Sequence, residues 1–261
     1  TLKQIAIIES TESSNRIEGV TIPDKRFKEL MAHPVKPRDR SEAEILGYRR
    51  ILSRIHTKPE SFSIDEKTIM EFHREIYTQT GIDGGHWKRR DNTIEEKLPD
   101  GRWITRFVPV PAQQIPFYMK ELCTRFNRMQ DKGEVSSLIL IPAFVLDFLC
   151  IHPFSDGNGR VSRLLTVLLL HQADYTVGRF VSIERLIEES KETYYESLQL
   201  SSQKWHENKH TLKPWLEFFL GVLIGAYKEF ESKAGKVRAS RGAKSSWVID
   251  AVNNLPKEFS I

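Results

Sequence analysis

Two apolar stretches, residues 138–146 and 164–170, flank a short polar crossing that reads Ile151-His152-Pro153-Phe154-Ser155-Asp156-Gly157-Asn158-Gly159-Arg160-Val161-Ser162-Arg163. Flanks of this kind are helices that pack into a core, so the crossing is carried to the core's edge. Polar groups in such a place are costly unless they are hydrogen-bonded or engaged with a ligand. Gly157, Asn158 and Gly159 let the backbone approach a ligand closely as the chain turns into a helix, where free amides and the helix dipole favour an anion. Arg160 and Arg163, three apart in the first helical turn, can face one polyanion while Leu164 anchors the opposite side. Two arginines at a helix start oppose the dipole by ~0.3–1 kcal/mol each, a conflict that an anionic ligand relieves. Asp156 adds a hard oxygen ligand of the kind Mg²⁺ takes, and His152 a base able to titrate near neutral pH. The plain alternative is a Gly-Asn-Gly turn with both arginines solvated and His152 satisfied in the core.

The rest of the chain is punctuated for helices. Apolar residues return every three or four positions over 112–131, 136–150, 160–173, 183–201 and 212–232. Ser41 with Glu44, and Ser63 with Glu66, have capping-box spacing and mark two more helix starts. The expected fold is all-α. One segment, 92–107, places two short runs around Leu98-Pro99-Asp100-Gly101 and reads as a β-hairpin, with a polar loop as the alternative. Residues 231–245 are basic and small, which suits a linker or a fraying helix end, and put a boundary near Arg241. The expected organisation is one domain over 1–240 and the opening of a truncated module over 241–261.

Composition excludes several classes. At 261 residues, 39% hydrophobic and 28% charged, the chain is neither collagen-like nor wholly disordered. Its net charge of +4, from 39 basic and 35 acidic side chains, is too thin an excess to argue for nucleic acid. Cys123 and Cys150 lie in apolar helical patterns and make neither a disulfide framework nor a four-ligand zinc site, so reduced cytoplasmic thiols are expected. No apolar run approaches the ~20 residues of a membrane span. Residues 1–8 lack a secretion pattern, although Thr1 is not a methionine and a targeting segment stays open.

Residues 152–163 satisfy every specified position of His-x-Phe-x-Asp/Glu-Gly-Asn-Gly-Arg-x-x-Arg, and in this the sequence resembles the Fic family of nucleotidyl-transfer proteins. The resemblance implies a Fic helical-bundle domain that transfers AMP from ATP to a protein Ser, Thr or Tyr hydroxyl, with pyrophosphate leaving. It implies His152 as the base, Asp156 as the ligand of Mg²⁺, and Gly157, Asn158 and Gly159 around phosphate oxygens. Arg160 and Arg163 are then expected on the outer phosphates, and Phe154 is expected as a core anchor. Residues 92–107 resemble the family's flap, which would hold the target protein by strand addition. Tyr194 and Tyr195 resemble positions near the adenine, although either could equally be a packed helix aromatic.

Ser14-Asn15-Arg16-Ile17-Glu18-Gly19 matches the inhibitory motif Ser/Thr-x-x-x-Glu-Gly/Asn of Fic proteins that carry a built-in inhibitory helix. Ser14 and Glu18, four apart, share one helical face, and Gly19 suits the position just past a helix end. A glutamate at that end opposes the dipole and calls for a cation, with Arg163 the expected partner. Such a pair would misplace ATP and slow transfer. Inhibitory-helix members also imply a second direction, AMP removal with Glu18 positioning water.

Two other readings compete. His206-Glu207-Asn208-Lys209-His210 spells the zinc-protease pattern, but Pro214 and its polar surroundings suggest a loop. Residues 250–261 resemble the start of a winged-helix domain, which would make the protein a DNA-binding regulator through a part beyond this sequence.

Overall fold

The computed structural model of the protein describes residues 2–98 and 100–234. Ten α-helices occur among them: α1 (Leu2–Ile17), α2 (Asp24–Ala32), α3 (Arg40–Thr57), α4 (Glu66–Ile76), α5 (Ile115–Lys132), α6 (Ser137–Ile151), α7 (Asn158–Gln172), α8 (Ile183–Glu189), α9 (Lys191–Ser202) and α10 (Lys213–Ala234). Two short strands, β1 (Ile94–Lys97) and β2 (Trp103–Phe107), make the antiparallel hairpin expected at 92–107. The fold is therefore all-α with a small β-flap. The module expected at 241–261 lies outside the described residues.

α7 is the axis of the bundle. Apart from Gly159 and Gln172 each of its residues is buried, and α1, α3, α4 and α6 all pack on it. α6, apolar apart from Ser137 and Asp147, joins α7 to α5 and α10. Phe148, Phe154, Leu164, Leu165 and Leu168 are fully buried at this junction. The polar crossing is thus held between the two most buried helices, as the flanking apolar runs require.

Helix starts differ from the expected ones by two residues. Asp39, not Ser41, caps α3, its carboxylate accepting the Glu42 amide at 2.9 Å, and Asp65, not Ser63, caps α4, accepting the Thr68 amide at 2.8 Å. An aspartate caps as well as a serine and adds a negative charge where the dipole favours one. The expected helix at 183–201 is broken at Ser190 into α8 and α9, and 112–114 form a 3₁₀ turn before α5.

Candidate active site

His152 ends α6 in the left-handed conformation, φ 53°, which turns its ring off the helix and into the crossing. Its Nδ1 lies 3.3 Å from the Leu149 carbonyl, so Nδ1 carries the proton and Nε2 presents a lone pair. Burial, then the charge of Lys88, push this imidazole down to about 4, against the Leu149 carbonyl, Glu18 and Asp156. It is neutral at physiological pH and able to accept a proton.

The crossing itself is rigid. The Asn158 side chain accepts from the Phe154 amide at 2.9 Å and donates to the Phe154 carbonyl at 2.8 Å, closing the loop on itself. Phe154 is fully buried, as expected of an anchor, and stacks on His73 at 3.8 Å between ring centroids. His73 accepts the Gly85 amide on Nδ1 at 2.8 Å and therefore donates from Nε2 to the Asp156 carbonyl at 3.1 Å. With the Asn158 side chain so engaged, what α7 offers a ligand is main chain. The Asn158, Gly159 and Arg160 amides of its first turn have no carbonyl within the helix to bond.

A carboxylate already sits there. A Cβ added to Gly159 would lie 2.0 Å from Glu18 Oε1, so the acid rests directly against the start of α7. The same Oε1 accepts from Arg163 at 2.7 Å. Arg163 is buried and also donates to the Ser14 hydroxyl at 2.8 Å and the Ser14 carbonyl at 2.9 Å. Burial works against its charge, and Glu18 together with Tyr194 and Tyr48 outweighs that effect. Local structure at the end of α1 sets Glu18 in place. Gly19, at φ 78°, donates to the Arg16 carbonyl at 3.0 Å and Val20 to the Asn15 carbonyl at 3.0 Å, which is the Schellman ending. Lys191 caps the Ile17 carbonyl at 2.8 Å.

Arg160 departs from its neighbour. It is 1% exposed and turned inward, ion-paired with Glu44, hydrogen-bonded to the Tyr77 hydroxyl at 2.8 Å and 3.8 Å from Asp156. Arg160 and Arg163 therefore do not converge on one point. Asp156 faces solvent beside the cradle and meets the exposed Arg40 at 3.1 Å. Burial tends to raise the Asp156 pKa, but Arg160, Tyr77, the Gly157 amide and Arg40 together hold it below its ordinary value. An exposed pair of this kind contributes ~0–1 kcal/mol, so Arg40 yields readily to a divalent cation. The hard, ionised oxygens of Asp156 next to free helix amides suit Mg²⁺ carrying phosphate.

Sequence reasoning missed Glu44, Tyr77, His73, Arg40 and Lys88. For Glu44 a signal existed, because it falls on the apolar stripe of α3 with Tyr48, Ile51, Leu52 and Ile55, all buried. An acid on such a stripe requires a buried cation.

Tyr194 is buried against Trp215 and Phe218, with centroids 5.8 and 5.7 Å away, while its neighbour Tyr195 is 45% exposed. The zinc-protease pattern is not helical. Trp205–Glu207 form one 3₁₀ turn that ends at Asn208 in the left-handed conformation, so His206 and His210 do not share a helical face. Instead, His206 bonds the Val108 carbonyl at 2.7 Å and stacks on Phe107 at the end of β2.

Residues 63–170 match the Fic/DOC family, a span from just before α4 to the last turn of α7 that takes in the hairpin and the whole crossing. The proteins named "Protein adenylyltransferase Fic" from Drosophila erecta and Drosophila persimilis are 28% and 29% identical over 180 residues, or 67% of this chain. The chain spans 31% and 30% of their lengths. Among solved structures, a Fic-domain-containing signalling protein from Bacteroides thetaiotaomicron superposes with a TM-score of 0.70 at 22% identity, covering 87% of each chain. A Fic family protein from Desulfovibrio desulfuricans gives 0.69 at 20% identity, covering 96% of this chain and 75% of the other. Fic-1 from C. elegans gives 0.62 at 18%, covering 87% and 63%. The matched crossing and hairpin place residues 63–170 in the Fic/DOC family, and the helical frame around them is the fold of the Fic-domain structures.

Proposed function

We propose that the protein is an autoinhibited transferase that moves AMP from ATP to a Ser, Thr or Tyr hydroxyl of a protein, with residues 1–240 as its catalytic domain. The observation that carries this reading is the Glu18 carboxylate seated against Gly159 and bonded to Arg163. The start of α7 is an anion cradle, and the chain's own anion fills it. When Glu18 leaves, the Asn158 and Gly159 amides and the Arg163 donor that Glu18 held are open to the triphosphate, with Arg163 on the outer phosphate, while the Gly157 amide holds the Asp156 carboxylate at 2.6 Å. Arg160 serves as a buried strut that stiffens Asp156 and Tyr77. Asp156 would hold Mg²⁺, which when bound neutralises phosphate charge.

The acceptor hydroxyl gives its proton to His152 Nε2 as its oxygen attacks the α-phosphorus, and pyrophosphate leaves. Catalysis of this kind is mainly orientation and charge placement. The flap at 92–107 would align an extended target segment by main-chain bonds. Tyr195, exposed next to Glu18, is the better placed of the two tyrosines for the adenine, since Tyr194 is committed to packing.

The test is incubation of a cell lysate with α-labelled ATP and Mg²⁺. Glu18→Gly is expected to raise protein labelling at least about tenfold over wild type, the scale of one lost charge-assisted hydrogen bond. Adding His152→Ala to that variant is expected to abolish it. No gain with Glu18→Gly defeats autoinhibition, and label that survives His152→Ala removes the base.

A further inference from the structure

The hairpin is short, two strands of four and five residues, and an isolated ribbon of this size is marginal in water. Its position must come from its roots and from α9, on which β2 packs. At the entry root Lys88 is 4% exposed, an unusual place for an ammonium. Its main-chain amide donates to the Pro153 carbonyl, the residue after His152, at 2.8 Å. Its Nζ donates to Asn92 Oδ1, two residues before β1, at 2.7 Å. One residue thereby ties the catalytic crossing to the start of the flap.

The exit root is tied to α6, the helix that leads into the crossing, by another route. His206 donates from Nε2 to the Val108 carbonyl at 2.7 Å, and its ring lies nearly parallel to Phe107 with centroids 5.5 Å apart. Its neighbour Trp205 packs on Phe107 and Tyr118. The Trp205 indole donates at 2.6 Å to Asp147, which lies on α6 little more than one turn before His152. The two roots are also pinned to each other, the Ala112 amide donating to Asp91 Oδ1 at 2.7 Å.

We propose that Lys88 and His206 are positioning residues that clamp the two roots of the flap to the α6 end and crossing that carry His152, fixing the height at which an acceptor hydroxyl meets the imidazole. The His-Glu-x-x-His sequence thus has a use without zinc. Its first histidine is the exit clamp. The inference deepens the transfer reading and rests on it only for the word acceptor, because the clamp is a property of the free protein. Burial also pulls the Lys88 ammonium down to about 8, opposed by Asp91, so its charge is held in a place where water solvates it poorly. Three charged groups bear on His152, with Lys88 opposing Glu18 and Asp156.

Hydrogen exchange by mass spectrometry on the full chain tests the clamp. Lys88→Met keeps the stem and removes the donor; His206→Ala removes the bond and the stacked ring, and His206→Gln restores a donor. In Lys88→Met and His206→Ala, peptides within 92–108 are expected to exchange about tenfold faster, the equivalent of one hydrogen bond. Exchange in α3 and α7 should be unchanged, and His206→Gln should recover part of the protection. In the Glu18→Gly background both loosening variants should keep MgATP affinity while passing several-fold less AMP to the chain's own hydroxyls. Flap exchange equal to wild type in both variants overturns the proposal, as does faster exchange spread over the whole chain. If no variant labels protein but the flap loosens as stated, the transfer reading fails and the clamp stands.

Discussion

Gly159 separates an anion cradle from a simple ion pair. A methyl group there would meet Glu18 Oε1 at 2.0 Å and Arg163 Nη1 at 3.1 Å, and Glu18, as the far end of a flexible side chain, can swing away. Gly159→Ala is therefore expected to loosen Glu18 from Arg163 yet occupy the cradle itself. Calorimetric titration with MgATP should show binding no tighter than wild type, whereas Glu18→Gly tightens it by about tenfold or more. Tight binding by Gly159→Ala would mean that phosphate does not rest against the start of α7. The shared face of Ser14 and Glu18 was legible in the sequence from helical spacing, and Arg163 as the partner of Glu18 came from the resemblance to the family's inhibitory motif. The inward turn of Arg160 was not, since its partner Glu44 lies 116 positions away and was read as a capping acid.

Helix α3 carries the correction at the level of elements. Capping-box spacing pointed to Ser41 with Glu44 at its first turn. The structure takes Asp39, which releases Glu44 to reach Arg160 and Arg40. Urea unfolding should find Asp39→Ala destabilised by about 1 kcal/mol and Ser41→Ala within about 0.5 kcal/mol of wild type. Equal losses at both positions would contradict the assigned cap. The long apolar helices and the hairpin, by contrast, were legible with boundaries good to a few residues, because α6, α7 and α10 repeat their pattern over many turns. The break at Ser190 was not, because α8 and α9 continue one periodic pattern and only their packing separates them.

Across the whole molecule, burial sets the response to acid. His56, His73, His152 and His171 are pushed down to about 3, 4, 4 and 4, burial being the first cause in each. Each is neutral when folded and takes a proton more easily when unfolded, near its ordinary pKa of about 6.5. Their contribution to stability is therefore complete above about pH 6.5 and is lost as the pH falls toward 4, with up to about four protons taken up on unfolding in that window. Melting temperature followed from pH 7 to 4.5 should fall steeply, and His171→Gln should reduce the slope by about one proton; a flat profile would contradict their burial. No local pattern announces the burial of His56 and His171, which come together from the ends of α3 and α7 with ring centroids 5.0 Å apart. Helix α1 has a different thermal character. Of the seven buried residues of α1, five are Ser, Thr or Asn, and only Ala6 and Ile17 are apolar. Lifting α1 exposes hydroxyls and amides alongside modest hydrocarbon, and the two kinds of surface change heat capacity in opposite directions. On the proposed autoinhibition, the docked and lifted positions of α1 are expected to exchange along a nearly straight van't Hoff line, while the bundle beneath melts along a curved one.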